Sequence, residues 1–399
     1  MKRIIILKDT IKYDNVLKLI IFLFPFLPAF GGKSYINILV IPIAALLLTS
    51  YKSTFSRSSM ILALITVLSI ISLLLSNPSL DIRNLFQLIL FEIILFFCYQ
   101  CGRLIVLDNK LINVLLAILF AESVICLLEL SSIELRSRIF TIYGINIAKY
   151  ITESQSLFSV VGTIGNPNDY AIFINLLFIL IILADRELNS ELVSKSTVLE
   201  SVAFLLSAIN IYFSFSRTGV LLFLMLVILI GIDSHNHWFL FLVILVTVVF
   251  YHNINKLGSN ALIRRFEGVF IGGLDIDFGA RERMWRIYLD EIRHFNLRHL
   301  FLGMGNNYYE TFFSAVDNQY IYIMLSNGVL GIIIYILKIL FIIIWDGPRH
   351  LKVHLLLLIL ISGIVMSIGP LENILIFLFL GVFEERHEKK PLSNNWIIS

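Results

Sequence analysis

Residues 111–130 read LINVLLAILFAESVICLLEL, and only Asn113, Glu122, Ser123 and Glu129 interrupt the apolar run. Twenty residues at 1.5 Å rise make a helix of about 30 Å, the thickness of a bilayer's hydrocarbon core. The apolar residues form a block rather than one stripe of an amphipathic helix, so the stretch suits lipid better than a water-facing surface.

Blocks of this kind recur along the chain, near residues 16–31, 35–50, 59–76, 84–100, 111–130, 169–184, 197–214, 218–232, 237–252, 319–345, 350–368 and 370–383. Composition agrees: of 399 residues, 58% are hydrophobic and 15% charged, with a mean hydropathy of +0.89, whereas soluble domains carry about 25% charged residues. The expected fold is an all-α, polytopic membrane helix bundle of about twelve transmembrane helices. It forms a single integral-membrane domain, 1–399, whose N-terminal spans occupy 1–130. The block 319–345 is long enough that it should tilt or extend beyond the bilayer.

Lys2, Arg3, Lys8 and Lys12 precede the first block as in a signal peptide, but Pro25 and Pro28 interrupt it and no small-residue cleavage site follows. A retained first span is expected. Cys98 and Cys101 form a CxxC at a helix end without a second pair, and Cys126 lies inside a span. Small apolar packing explains all three, and no metal or other cofactor is expected. A net charge of +3 is too small to argue for nucleic acid.

With the N-terminus in the cytoplasm, the short inner loops hold Lys52, Arg57, Arg103, Lys110, Arg186, Lys195, Arg349 and Lys352. Short outer connections hold only Lys33, Arg83 and Arg217. The tail, with Arg386, Lys389 and Lys390, also falls inside, as the positive-inside rule requires. Two longer segments, 131–168 and 253–318, then lie outside, and the second is a large, partly helical loop.

Polar residues gather at that outer face. Gly165-Asn166-Pro167-Asn168-Asp169-Tyr170 precedes the sixth span, and Ser214-Phe215-Ser216-Arg217-Thr218-Gly219 separates the seventh from the eighth. The large loop carries Arg264, Arg265, Arg281, Arg283 and Arg286 and ends in Asp317-Asn318. SFSRTG, NPN, ARERMW with downstream FLGMGNN, and DNQYIYIMLSNGVLG together resemble the O-antigen ligase and polymerase superfamily. The resemblance covers about 160–345, a polymerase/ligase-like core.

The resemblance implies a metal-independent integral-membrane glycosyltransferase of the bacterial inner membrane, with its active site at the periplasmic face. Its substrates would be oligosaccharides on undecaprenyl pyrophosphate, its surroundings membrane lipids, and a chain-length regulator is a further partner it leaves room for. Polymerases extend one carried glycan at the expense of another; ligases transfer the finished chain to lipid A core. Ligases of the family usually have a histidine where Asp317 stands, which favours the polymerase branch.

A pyrophosphate leaving group calls for guanidinium groups, whose fork of donors pairs bidentately with phosphate oxygens. Arg217, held between two spans, and Arg281 are the first candidates. On a helix over 280–295, Arg281 shares a face with Trp285, Tyr288 and Ile292, while Arg283 and Arg286 point away. Headgroup anchoring explains Arg217 equally simply, and an interfacial amphipathic helix explains the loop arginines. Arg264 and Arg265 read as a phosphate or headgroup patch. Asp317 is a candidate base for the acceptor hydroxyl or a helix N-cap.

Asn166 and Asn168 suit sugar hydroxyls or the diphosphate, or simply a turn and cap around Pro167. Trp285, Asn318 and Tyr320 complete the expected binding set. His294 and His299 read as surface histidines. Glu92 and Glu122, deep within spans, are expected to line an acceptor cavity, since intramembrane carboxylates usually face a cavity or partner; the plainer reading is a packing contact. A flippase, which has a similar span count, would place its charges near the bilayer midplane in repeated halves. No repeat is visible, and a receptor would not need four polar motifs.

Overall fold

The computed structural model describes residues 14–27, 29–30, 33–34, 56–77, 82–143, 145, 159–188, 196–234, 280–306, 318–365 and 370–393. Helices dominate: α1 (14–23), α2 (Arg57–Ser76), α3 (Ile82–Gly102), α4 (Asn109–Ser131), α5 (Ile133–Ile142), α6 (Pro167–Leu188), α7 (Ser196–Ser214), α8 (Arg217–Ser234), α9 (Ala280–Arg293), α10 (Leu297–Leu302), α11 (Gln319–Ile344), α12 (Arg349–Val365) and α13 (Pro370–Ser393). Within α2, α3, α4 and α11 lie stretches long and apolar enough to cross a membrane. The expected spans 35–50 and 237–252 lie outside the described residues.

Side chains set the helix starts. Ser56, Asp108 and Ser132 each accept a backbone N–H three residues ahead, capping α2, α4 and α5. The first expected span is not one helix. Past residue 23 the chain tightens into a 3-10 turn over Phe24–Phe26, and Ala29–Phe30 then pairs antiparallel with Lys33–Ser34. Pro25 has no N–H to continue an α-helical ladder, which accounts for the stop. In the segments expected to be outer loops, α5 and α10 are additional helices, and α9 matches the expected one.

The described helices pack into two compact units. The first holds residues 14–20, α2, α3 and α9–α13; the second holds α4–α8. In the first, α3 and α13 approach so closely that Gly102 faces the backbone of Leu378 and Gly381 that of Tyr99, with no room for a side chain. Small residues at such crossings let two backbones gain dispersion contacts that lipid cannot outcompete. Nearby, Arg103 reaches Ser59 and Glu385, at 3.4 Å and 3.6 Å.

The long block 319–345 is not one continuous helix. Helix α11 is broken at Gly328 (φ 61°, ψ −156°), a backbone region open essentially to glycine alone. The break frees carbonyls, and the loop after α10 takes them up: Met304 N–H donates to Leu325 O (2.7 Å) and Gly305 N–H to Ser326 O (2.9 Å). The loop is pinned in turn by Asn77 at the C-terminus of α2, whose Oδ1 accepts Asn306 N–H at 2.6 Å. FLGMGNN and LSNGVLG are therefore two halves of one structural device.

In the second unit α6 is central, with every residue from Tyr170 to Asp185 buried. A helix that is apolar on all sides belongs in such a place.

Candidate active site

The second unit brings two of the polar motifs together. Asn166 caps α6: its Oδ1 accepts Asn168 N–H at 2.9 Å, with Pro167 at the first helical position. Asn168 Oδ1 in turn accepts the Ser216 hydroxyl at 2.8 Å, so NPN and SFSRTG are tied side chain to side chain. Ser216 also caps α8, its Oγ accepting Gly219 N–H at 3.0 Å. Only Phe215 and Ser216 separate α7 from α8, and Phe215 sits at φ +52°, a conformation that L side chains rarely adopt. Arg217 follows as the first residue of α8 and is exposed.

Below these motifs, the segment leading into NPN is held by buried polar groups. Thr163 donates its hydroxyl to Glu122 Oε1 at 2.5 Å, and Val161 N–H donates to Glu129 Oε2 at 3.2 Å. Arg136 Nη2 donates to Ser159 O at 2.8 Å. Tyr170 donates to Asn210 Oδ1 (2.7 Å), and Asn210 Nδ2 to Ser123 Oγ (2.6 Å). Glu122 is fully buried, so its carboxylate orders the approach to α6. Of the groups outside the spans, Arg136 has its pKa lowered by burial against an opposing pull from Glu129, and Tyr143 is raised by burial and then by Glu122.

Ser216→Ala removes a helix cap and the tie to Asn168 at once. A cap of this type contributes about 0.5–2 kcal/mol, so the purified variant should unfold at a measurably lower temperature than wild type. An unchanged unfolding temperature would mean that the tie carries no stability.

In the first unit, Asn318 rather than Asp317 caps α11. Its Oδ1 accepts Tyr320 N–H and Ile321 N–H, both at 3.0 Å, and its Nδ2 donates to Ile364 O at the end of α12. The cap expected of Asp317 thus falls one residue later; Asp317, Arg264 and Arg265 lie outside the described residues. Tyr320 donates to Leu360 O at 3.2 Å, a second tie to α12. Trp285, Tyr288 and Ile292 form the apolar stripe of α9 and pack on Ile321 and Leu325 of α11. Arg286 lies exposed, and Arg281 and Arg283 stand in the first turn of α9, with side chains outside the described residues.

The same unit holds a partly open cavity of about 380 Å³ between α2, α3, α11 and α13. Glu92 lines it and receives Lys338 Nζ at 2.7 and 2.8 Å. Lys338 was not among the expected site residues, although a lone cation inside a span is a signal the sequence carries. Thr163 and Asn77 carry no such signal, since their roles depend on partners distant in sequence.

A family model described as O-antigen ligase matches residues 202–336, about a third of the chain. No curated protein matches the chain. The matched segment begins within α7, carries SFSRTG and ARERMW, and ends within α11 beyond the Gly328 break. Residues 202–336 are thus similar to the O-antigen ligase family, and four described helices contain stretches long and apolar enough to cross a membrane, as an integral membrane protein would need.

Proposed function

We propose that this protein is a surface-polysaccharide polymerase, transferring a growing glycan from undecaprenyl pyrophosphate to the terminal sugar of another carrier-linked sugar repeat. The observation carrying this reading is the family match across 202–336, which includes the arginine-bearing motifs. Aspartate at 317, where the resembling ligases have histidine, favours polymerase over ligase.

In the proposed reaction the bond between the donor's anomeric carbon and the diphosphate oxygen breaks, and its electron pair leaves with the carrier. A bond forms from the acceptor hydroxyl to that carbon, and the hydroxyl proton passes to Asp317. Arg217 is the first candidate to grip the departing diphosphate and Arg281 is a second, independent candidate for that role, with Arg264, Arg265, Arg283 and Arg286 as further basic candidates. Arg217 opens α8, where the helix dipole repels a cation by about 0.3–1 kcal/mol. A diphosphate docked there interacts favourably with both the guanidinium and the dipole. Asn166 and Asn168 are proposed to orient the sugar or diphosphate, and Glu122 acts as a positioning residue through Thr163. Trp285, Asn318 and Tyr320 support the site by packing and capping. The site is proposed to face the periplasm, with both chain termini in the cytoplasm.

Deleting the gene in its host tests this reading. The expected product is lipopolysaccharide capped by one sugar repeat, because ligation proceeds without extension. Complete loss of the cap would overturn the polymerase reading in favour of a ligase or flippase.

A further inference from the structure

The cavity of the first unit is built unlike a phosphate site. Its one pair of described charges, Glu92 and Lys338, is mutually neutralised through both carboxylate oxygens. A diphosphate entering it would meet a carboxylate along with the ammonium group. The rest of the polar lining is hydroxyl and amide, from Ser69, Ser72, Gln319 and Asn327 among others. Ser69 Oγ, Ser72 Oγ, Gln319 Oε1 and Asn327 Oδ1 are all buried and have no hydrogen-bond partner among the described residues. Buried polar atoms are nearly always satisfied, so four in one cavity mark places where a ligand's hydroxyls belong. Phe91 and Tyr322 supply ring faces beside them. At about 380 Å³ the space lies within the range of small-molecule sites.

We infer that this cavity is a sugar subsite, binding neutral hydroxyl-rich residues of the glycan through Glu92, Lys338 and the unpartnered oxygens of α2 and α11. This rests on the proposed glycan chemistry but assigns it a place and a ligand class that the arginine motifs do not. An ion pair is well suited to the task. Carboxylate and ammonium groups present strong acceptors and donors to hydroxyls while adding no net charge to the cavity.

The test uses the full-length protein in nanodiscs and two probes. One is the free oligosaccharide of a single sugar repeat, released from its carrier by mild acid and so lacking phosphate. The other is undecaprenyl pyrophosphate without sugar. The wild type should bind both. The Glu92→Leu/Lys338→Met variant, which removes the pair without stranding a charge, should lose oligosaccharide affinity about tenfold or more. Its carrier affinity should stay within about twofold. If that variant fails to fold, Ser69→Ala/Ser72→Ala should weaken oligosaccharide binding about fivefold, since it deletes only hydroxyls that lack protein partners.

Wild-type oligosaccharide affinity in whichever variant folds would overturn the inference. Loss of carrier binding in place of sugar binding would overturn it too, by making the cavity an anion site. Arg217→Ala separates this idea from the broader one. If chain extension survives Arg217→Ala while sugar binding still depends on Glu92 and Lys338, the transferase reading fails and the cavity stands.

Discussion

Replacing Arg217 or Arg281 with alanine is expected to abolish glycan chain extension while leaving the protein at its wild-type level in the membrane. Each guanidinium is proposed to meet charge as it develops on the departing diphosphate, where a fixed donor acts without reorganisation. Loss of one such donor typically lowers turnover about a hundredfold to a thousandfold, enough to erase a ladder of long glycans. The start of α8 keeps its cap in the Arg217 variant, because that cap belongs to Ser216. Arg217→Lys keeps the charge and loses the bidentate fork, so a shortened ladder is expected rather than none. The measurement is the glycan length profile on a gel beside an immunoblot of the membrane fraction. Full-length ladders in both alanine variants would refute the role given to these residues.

Gly328→Ala should act in the opposite manner, removing the protein itself. The residue sits at φ 61° and ψ −156°, where a side chain is strained, at a cost of about 1–3 kcal/mol. A Cβ there would also lie 2.6 Å from Gly303 N and 2.7 Å from Leu300 O. These are backbone atoms that cannot swing away, and overpacking adds about 1–3 kcal/mol. Gly303, itself at φ 72°, has the reciprocal problem: a Cβ would stand 2.5 Å from Asn327 N and from Ser326 O. Both alanine variants should show reduced membrane levels and a lowered unfolding temperature, and a stable Gly328→Ala protein would show that the break in α11 is not required.

Hydropathy revealed most of the described architecture because a membrane helix is specified by its own composition. The helices α2, α3, α4, α6, α7, α8, α11, α12 and α13 fall where apolar blocks predict them. What composition could not reveal was anything decided between distant residues. The break in α11 depends on Gly303 meeting Gly328, and the residues of FLGMGNN gain their meaning only beside LSNGVLG. The turn-and-cap reading of Asn166 was legible, since it is local chemistry around Pro167. The pairing of Lys338 with Glu92 depends on α3 and α11 lying together. Asn318 took the cap expected of Asp317 because the register of the first turn is a one-residue matter that propensity does not resolve.

Helix α3 is made early and its counter-charge late. Glu92 precedes Lys338 by 246 residues, roughly 10–50 s of synthesis at the usual ribosomal pace of about 5–20 residues per second. Throughout that interval the carboxylate lacks its partner and must be left near water or shielded by the insertion machinery. The first unit can close only after α11 and α13 have been threaded into the membrane. A nascent chain stopped before α11 would leave its early helices waiting with an unsatisfied acid in lipid, a ready target for membrane quality control.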